Sequence, residues 1–310
     1  MNEQLRKILQ KQRYQIVGNH SGVKLCHWMR QKLLHNRPCY KERFYGISTH
    51  RCLQMTPTVD QCNQECLFCW RYHGEHELDR KAIDGPERIL EEAIAAQRTL
   101  LTGFKGDDRC DINYWQEGQT PTQVAISLAG EPTIYPHLSD FMELCHGSGM
   151  TTFLVTNGTL PKALERLDTL PTQLYVTVAA PTEEVYRKLC LPHSSIAGWK
   201  NLKRTLELLP SLSTRTVIRH TLVEEWNLGN VEDYAKLDAL AEPMFIEPKG
   251  YMFVGHSRQI LSMRNMPKHD TINEFGSKLA ELLGYEILDE LPDSRVVLLG
   301  KDKSNMIIKS

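Results

Sequence analysis

Cys62-Asn63-Gln64-Glu65-Cys66-Leu67-Phe68-Cys69-Trp70 sets three cysteines in the spacing CxxxCxxC, with an aromatic residue just before the last one. Thiolates this close in sequence can wrap one metal centre from a single loop, yet three of them cannot complete a four-ligand cysteine site. One coordination position stays open. An iron-sulfur cluster with one iron not held by the protein suits that arrangement, because the free iron can bind a small chelating cofactor. The competing reading is a zinc site completed by His73 or His76, although zinc motifs more often pair two CxxC knuckles.

The chain around this loop has 310 residues, 41% of them apolar, enough to bury a sizeable core. One domain with an N-terminal extension is expected. No apolar run approaches the roughly 20 residues that cross a bilayer, and Met1 to Lys11 is polar without a cleavable apolar core. A cytoplasmic protein with no membrane partner is therefore expected. Nine cysteines in a reducing compartment are poor disulfide candidates, and six of them fall between Cys26 and Cys69, so metal ligation is the leading explanation. The net charge of -1 hides an uneven distribution: residues 1–52 carry 11 Lys and Arg against Glu3 and Glu42, a net +9, which leaves -10 for the rest. A basic block beside a metal site points to a polyanion, most commonly nucleic acid, and the plainer alternative is a solvated basic face on two helices.

Leu5, Ile8 and Leu9 predict a helix within Asn2 to Ile16, and Leu25, Trp28 and Leu33 another over Val23 to Leu34. Pro38, Gly46 and Ser48 break the pattern, so Arg37 to Arg51 reads as a loop carrying Cys39, Lys41 and Tyr45. Leu53 to Thr58 reads as a strand that delivers the chain to the cysteine loop. Beyond it strands and helices alternate as in parallel α/β units. Strands are expected at Thr122 to Leu128, Thr151 to Thr156, Leu174 to Ala179, Arg215 to Val223 and Pro243 to Glu247. Helices are expected at Pro86 to Leu101, His137 to His146, Pro161 to Leu167, Thr182 to Leu189, Gly198 to Leu209 and Val231 to Leu240. That makes six parallel strands, an open or closed barrel with its active site at the strand C-terminal edge. Lys105 to Thr120 and Lys249 to His269 read as irregular, followed by a helix over Thr271 to Leu283 and closing strands at Tyr285 to Leu288 and Arg295 to Leu299. The expected organisation is a basic helical extension over 1–52, a barrel over 53–247 and a C-terminal helix and strand addition over 248–310.

The CxxxCxxC spacing with Phe68 before Cys69 resembles the signature of the radical S-adenosylmethionine (SAM) enzymes. That resemblance implies an α/β fold, the open partial (β/α)6 barrel, whose open side suits a large substrate. It also implies a 4Fe-4S cluster on Cys62, Cys66 and Cys69, whose open iron is chelated by SAM, the source of a 5'-deoxyadenosyl radical. Ala129-Gly130-Glu131-Pro132 follows the second strand, where the family's GEP-like segment holds the methionine ammonium, so Gly130 and Glu131 are expected cofactor contacts with Phe68. Thr156-Asn157-Gly158 ends the third strand at the same edge, where Asn157 can bond the SAM carboxylate or ribose or simply make a turn. Arg219 and Asn227, on or after the fifth strand, complete the expected cofactor shell, with structural ion pairs as the alternative for Arg219.

Upstream, Cys26, Cys39 and Cys52 repeat an incomplete triplet at equal intervals, CX12CX12C. Three evenly spaced cysteines among basic and aromatic residues point to a second 4Fe-4S cluster with an open iron, whereas Cys110, Cys145 and Cys190 read as buried small hydrophobes. The two triplets, the basic extension, Ala129-Gly130-Glu131-Pro132 and Glu247-Pro248-Lys249-Gly250-Tyr251 together resemble the tRNA 4-demethylwyosine synthases in their single-domain form. The resemblance implies a carbon-carbon lyase that builds a tricyclic wyosine-type base from pyruvate and N1-methylguanosine at position 37 of tRNA(Phe). Arg6, Lys7, Lys11, Arg13, Lys24, Arg30, Lys32 and Lys249 are then expected phosphate contacts, and Trp70, Tyr72, Tyr45 and Tyr251 stacking platforms for splayed bases. Lys41, two residues after Cys39, is the candidate for a Schiff base with the pyruvate carbonyl. The open iron of the second cluster is the alternative holder of pyruvate, and a phosphate contact the alternative role of Lys41. A monomer served by a separate, unidentified electron donor is expected. Rival readings are another radical SAM enzyme, such as an activase or a peptide-modifying enzyme, and a non-enzymatic RNA-binding protein with two zinc sites.

Overall fold

The structure, a computed structural model, describes residues 1, 3–71, 83–193 and 198–308. Ten strands form one sheet: β1 (Gln15–Val17), β2 (Ser21–Val23), β3 (Cys52–Thr56), β4 (Gln123–Ile126), β5 (Thr151–Thr156), β6 (Gln173–Thr177), β7 (Arg215–Leu222), β8 (Phe245–Gly250), β9 (Glu286–Leu291) and β10 (Val296–Gly300). They lie in the order β1-β2-β3-β4-β5-β6-β7-β8-β10-β9. From β3 to β8 all neighbours pair parallel, as the alternation of strand and helix predicts, and antiparallel pairs flank them on both sides. The helices are α1 (Glu3–Lys11), α2 (His27–His35), α3 (Tyr40–Tyr45), α4 (Pro86–Leu101), α5 (Ile112–Gly118), α6 (Leu138–Gly147), α7 (Pro161–Glu165), α8 (Glu183–Cys190), α9 (Gly198–Leu208), α10 (Val231–Ala241) and α11 (His269–Leu283).

Alternation along the strands divides the sheet into two faces. Leu53, Met55, Val124, Ile126, Leu154, Leu174, Val176, Ile218 and Ile246 point outward into the main core, where Ile89, Phe141, Leu206, Tyr234 and Phe275 from the covering helices meet them. Cross-strand partners place Cys52, Gln123, Phe153, Tyr175, Arg219, Glu247 and Lys249 together on the opposite, inner face. Such polar residues are rare on a parallel strand buried on both sides and mark the functional face.

The N-terminal segment is more deeply built in than an appended helical extension. The helix predicted to Ile16 stops at Lys11, because Arg13 turns left-handed at φ 65° and the chain enters the β1-β2 hairpin. The second helix starts at His27, since Ser21–Val23 is spent on pairing with β1 and β3. Arg37 to Arg51 holds the short helix α3 between Pro38 and a left-handed Gly46, so the two apparent helix breakers are its boundaries. α3 lies on the inner face, where Tyr40, Phe44 and Tyr45 pack with Phe153, Tyr175, Val217 and Phe245. Lys105 to Thr120 likewise hides α5, whose start is capped by Asp111 accepting from the N–H groups of Asn113 and Tyr114. Lys249 to His269 is irregular from Tyr251 onward, with two short 3-10 turns, while Lys249 itself lies in β8. No helix among the described residues is long and apolar enough to cross a membrane.

Candidate active site

The cysteine loop leaves β3 and is stapled at both ends. Its Glu65 and Leu67 N–H groups donate to Leu191 O (3.1 Å) and Leu189 O (2.9 Å) at the end of α8. On the other side Glu131 N–H donates to Gln61 O at 2.7 Å, and Gly130 (φ 68°) passes so close that a methyl there would overlap the carbonyl oxygens of Thr58 and Gln61. Cys62, Cys66 and Cys69 open onto one cavity with Phe68, Gly130, Glu131, Thr156 and Asn157. The loop, the GEP segment and the end of β5 thus meet at one place, as their positions at the strand ends predict.

Within that cavity the polar residues hold one another. The buried Glu131 carboxylate accepts from Thr133 N (3.1 Å) and Oγ1 (2.6 Å), Thr156 Oγ1 (2.6 Å) and Asn157 N (2.8 Å). Burial pushes this carboxyl up, against the pull of those four donors. Glu131 therefore braces the GEP turn with both oxygens while lining the cavity, and its Oε2, which accepts one of the four bonds, keeps acceptor capacity on that side. Asn157 Nδ2 donates to Asn63 Oδ1 at 2.7 Å, while Asn157 Oδ1 accepts from Thr159 N and Oγ1, which ties β5 to the cysteine loop. Burial raises the Cys62 thiol to about 12 and, behind a hydrogen bond to Cys190, helps raise Cys66. Cys190, Tyr186, Arg71, Thr177 and Ala179 also line the cavity. Nothing in their spacing marks them, since they reach it from α8, the loop end and β6.

The second triplet gathers from three element ends: Cys26 precedes α2, Cys39 precedes α3 and Cys52 begins β3. Burial raises Cys39 and Cys52 to about 12, each further raised by Cys26, while Lys41 pulls all three thiols down. The three thiols and Lys41 therefore lie near enough to act on one another's charge. The nine cysteines form no disulfide. Lys41 is buried, its Nζ 4.4 Å from the Phe153 ring centre and 4.5 Å from that of Tyr175. Burial lowers Lys41 to about 8, Arg219 adding to the effect and Glu247 opposing it.

Arg219 belongs to this inner network rather than to the cavity of the first triplet. Its Nε and Nη2 donate to Glu247 Oε2 (3.1 and 2.8 Å), Nη2 also reaches Tyr40 Oη (2.6 Å), and Cζ lies 4.4 Å from the Tyr175 ring centre. Glu247 Oε1 accepts from Tyr45 Oη (2.7 Å) and Tyr175 Oη (3.2 Å). Asn227 is also displaced from the expected cofactor shell: its side chain accepts from Val223 N (2.6 Å) and donates to Ala179 O and Thr221 O (both 2.8 Å), bracing the end of β7.

The expected RNA contacts divide sharply. Lys7, Lys11, Arg13 and Arg30 are exposed, and Arg6 and Lys24 are half-buried. Lys24 Nζ stands 4.6 Å from the Tyr14 ring centre and 5.2 Å from that of the half-buried Trp70, with Arg13 and Arg71 close enough to lower it further after burial. Lys32 is buried against Glu42 at 2.9 Å and makes no surface. Lys249 lies on the inner face with Nζ donating to Ser294 O at 2.6 Å, because its place in β8 points it inward. Tyr45 and Tyr251 are buried, bonded to Glu247 and Ser257, and are not stacking platforms. Tyr72, His73 and His76 lie outside the described residues. Cys145 and Cys190 are buried as expected, while Cys110 is partly exposed.

Both donor sets fit an iron-sulfur cluster. Each offers three soft thiols, and among the described residues no histidine lines the cavity of the first. Among the described residues no three His, Cys, Asp or Glu side chains converge as they would on a single ion, whereas a cubane spreads its thiolates over separate irons.

A family model described as "Radical SAM superfamily" matches residues 56–237, and one described as "Wyosine base formation" matches residues 240–301. The S-adenosyl-L-methionine-dependent tRNA 4-demethylwyosine synthase of Pyrococcus abyssi (strain GE5 / Orsay) is 49% identical over 97% of this chain and 90% of its own length. The enzyme of the same description from Methanocaldococcus jannaschii is 40% identical over 96% of both. A solved structure described as TYW1 with a lysine-pyruvate adduct bound superposes with a TM-score of 0.88 at 39% identity, covering 99% of this chain and 98% of that one. The chain belongs to the S-adenosyl-L-methionine-dependent tRNA 4-demethylwyosine synthases, within the radical SAM superfamily.

Proposed function

We propose that this chain condenses N1-methylguanosine at position 37 of tRNA(Phe) with pyruvate to form the tricyclic wyosine-type base. The observation that carries this reading is Lys41, a buried ammonium on the inner face beside Cys26, Cys39 and Cys52, with no carboxylate in ion-pair distance among the described residues. When bound with a cluster on Cys62, Cys66 and Cys69, S-adenosylmethionine supplies the radical that takes hydrogen from the N1-methyl group.

The chain's own residues prepare that encounter. Cys62, Cys66 and Cys69 hold the first cluster, and Cys26, Cys39 and Cys52 a second. The interlocked turns at Gln61, Gly130 and Asn157 fix the mouth of the first cavity. Once Lys41 has given up a proton, its lone pair attacks the ketone carbon of pyruvate, a C–N bond forms, and the carbonyl oxygen leaves as water. The resulting iminium keeps one positive charge, which the faces of Phe153 and Tyr175 stabilise as they do the ammonium. A relative 39% identical carries a lysine-pyruvate adduct, which supports this role. Arg13, Lys24 and Arg71 around Trp70 give the tRNA backbone a basic rim beside the cysteine loop. A separate protein delivers the electron, the chain works as a monomer, and residues 1–52, 53–247 and 248–310 act as extension, barrel and C-terminal addition.

The reading is tested by anaerobic incubation with S-adenosylmethionine, pyruvate, a reductant and methylated tRNA(Phe), followed by mass analysis of nucleosides. The tricyclic base is expected. Cleavage of S-adenosylmethionine without any tricyclic base would favour a different radical SAM enzyme, and a protein holding about four iron atoms rather than about eight would remove the second cluster.

A further inference from the structure

The inner face carries more positive than negative charge. Lys41, Arg219 and Lys249 lie together there, linked by shared ring walls: Lys41 and Arg219 stand against Tyr175, and Arg219 and Lys249 against Tyr40. The carboxylate that acts on both lysines is Glu247, and it is already committed to Arg219, Tyr45 and Tyr175. Neither lysine has a carboxylate in ion-pair distance among the described residues. Buried charges without partners are costly, so this face is built to receive anions. A bound monocarboxylate answers part of that excess.

Lys249 is placed to meet that carboxylate. Its ammonium has three donors, of which one is spent on Ser294 O, and Nζ stands 5.1 Å from the Tyr40 ring centre, on the side of Cys26 and Cys39. Arg219 is held through Nε and Nη2 by Tyr40 and by Glu247, whose carboxylate balances its charge, so Lys249 is the cation left without a counter-charge once Lys41 is consumed by the ketone. We propose that Lys249 recognises the substrate's carboxylate and so restricts the reaction to 2-oxo acids, holding the ketone carbon against Lys41. This rests on the Schiff-base role of Lys41 given above.

Reductive trapping tests it on the anaerobically purified, iron-loaded protein, with borohydride, intact-mass readout and peptide mapping of the adduct. Pyruvate and its uncharged methyl ester are compared across wild type, Lys249→Gln and Lys249→Arg. Loss of a charge-assisted hydrogen bond should raise the half-saturating pyruvate concentration of Lys249→Gln at least about tenfold. Trapping of methyl pyruvate should stay as in wild type, and Lys249→Arg should recover most of the preference for the acid. An unchanged pyruvate dependence in Lys249→Gln would overturn the proposal, and so would an equal loss for acid and ester, which marks general damage to the site. A wild-type protein that traps neither compound, or traps pyruvate equally in Lys41→Ala, would instead refute the Schiff-base role, and the proposal would fall with it.

Discussion

Gly130 shows how much of the first site hangs on one missing methyl group. Its left-handed backbone sits against the carbonyls of Thr58 and Gln61, so the GEP turn and the cysteine loop meet backbone to backbone. Gly130→Ala combines a strained φ with steric overlap that no side-chain rotation relieves, and it should cost about 2 kcal/mol or more. Urea unfolding should show the lowered midpoint, and iron bound by Cys62, Cys66 and Cys69 should fall in parallel. The sequence displays this glycine as part of an ordinary turn. What it does not display is the partner: Glu131 reads as a free carboxylate, yet it faces three neighbours brought from β5 and the following turn. A residue's chemistry is legible from its type, but whether that chemistry is spent depends on donors distant in sequence. Tyr45 and Lys249 turn inward for the same reason, since their partners Glu247 and Ser294 lie far off in sequence.

Among the elements, α3 is the one whose function exceeds its size. Six residues between Pro38 and Gly46 carry Tyr40, Phe44 and Tyr45 onto the inner face and thereby bring Cys39 and Lys41 against Phe153 and Tyr175. Its period is too short to register as a helix, whereas the long helices and six parallel strands announce themselves by repeated apolar spacing. Phe44 is wholly buried, so Phe44→Ala should destabilise the fold by about 3–5 kcal/mol. A lower denaturant midpoint with an unchanged slope would register that loss. The same variant should trap less pyruvate on Lys41 under conditions where it remains folded, because the cavity opens directly beneath the lysine's helix.

Across the whole molecule, the +9 of residues 1–52 is not one surface. Lys32 and Lys41 are buried, and Arg37 and Arg43 are paired with Asp293 and Asp289. Lys11 and Arg13 remain exposed, Arg13 beside Lys24 at the rim around Trp70. Replacing either by Gln should reduce the slope of log affinity for tRNA against log salt by about 1, while Lys32→Gln should leave the slope unchanged. A filter-binding or anisotropy titration across salt concentrations measures it, and equal effects of all three would return the basic block to a single diffuse field.

The two cysteine sets differ in where their ligands come from. Cys62, Cys66 and Cys69 belong to one loop, so most of their geometry is local. Cys26, Cys39 and Cys52 come from the ends of α2, α3 and β3, and they meet only when the N-terminal segment has joined the sheet and α3 has seated on its inner face. Maturation therefore has a direction: the loop can be loaded early, but the other set can be filled only after the chain has closed over it. Iron held there would then act as a latch, fastening the first fifty residues of the chain to the barrel they complete.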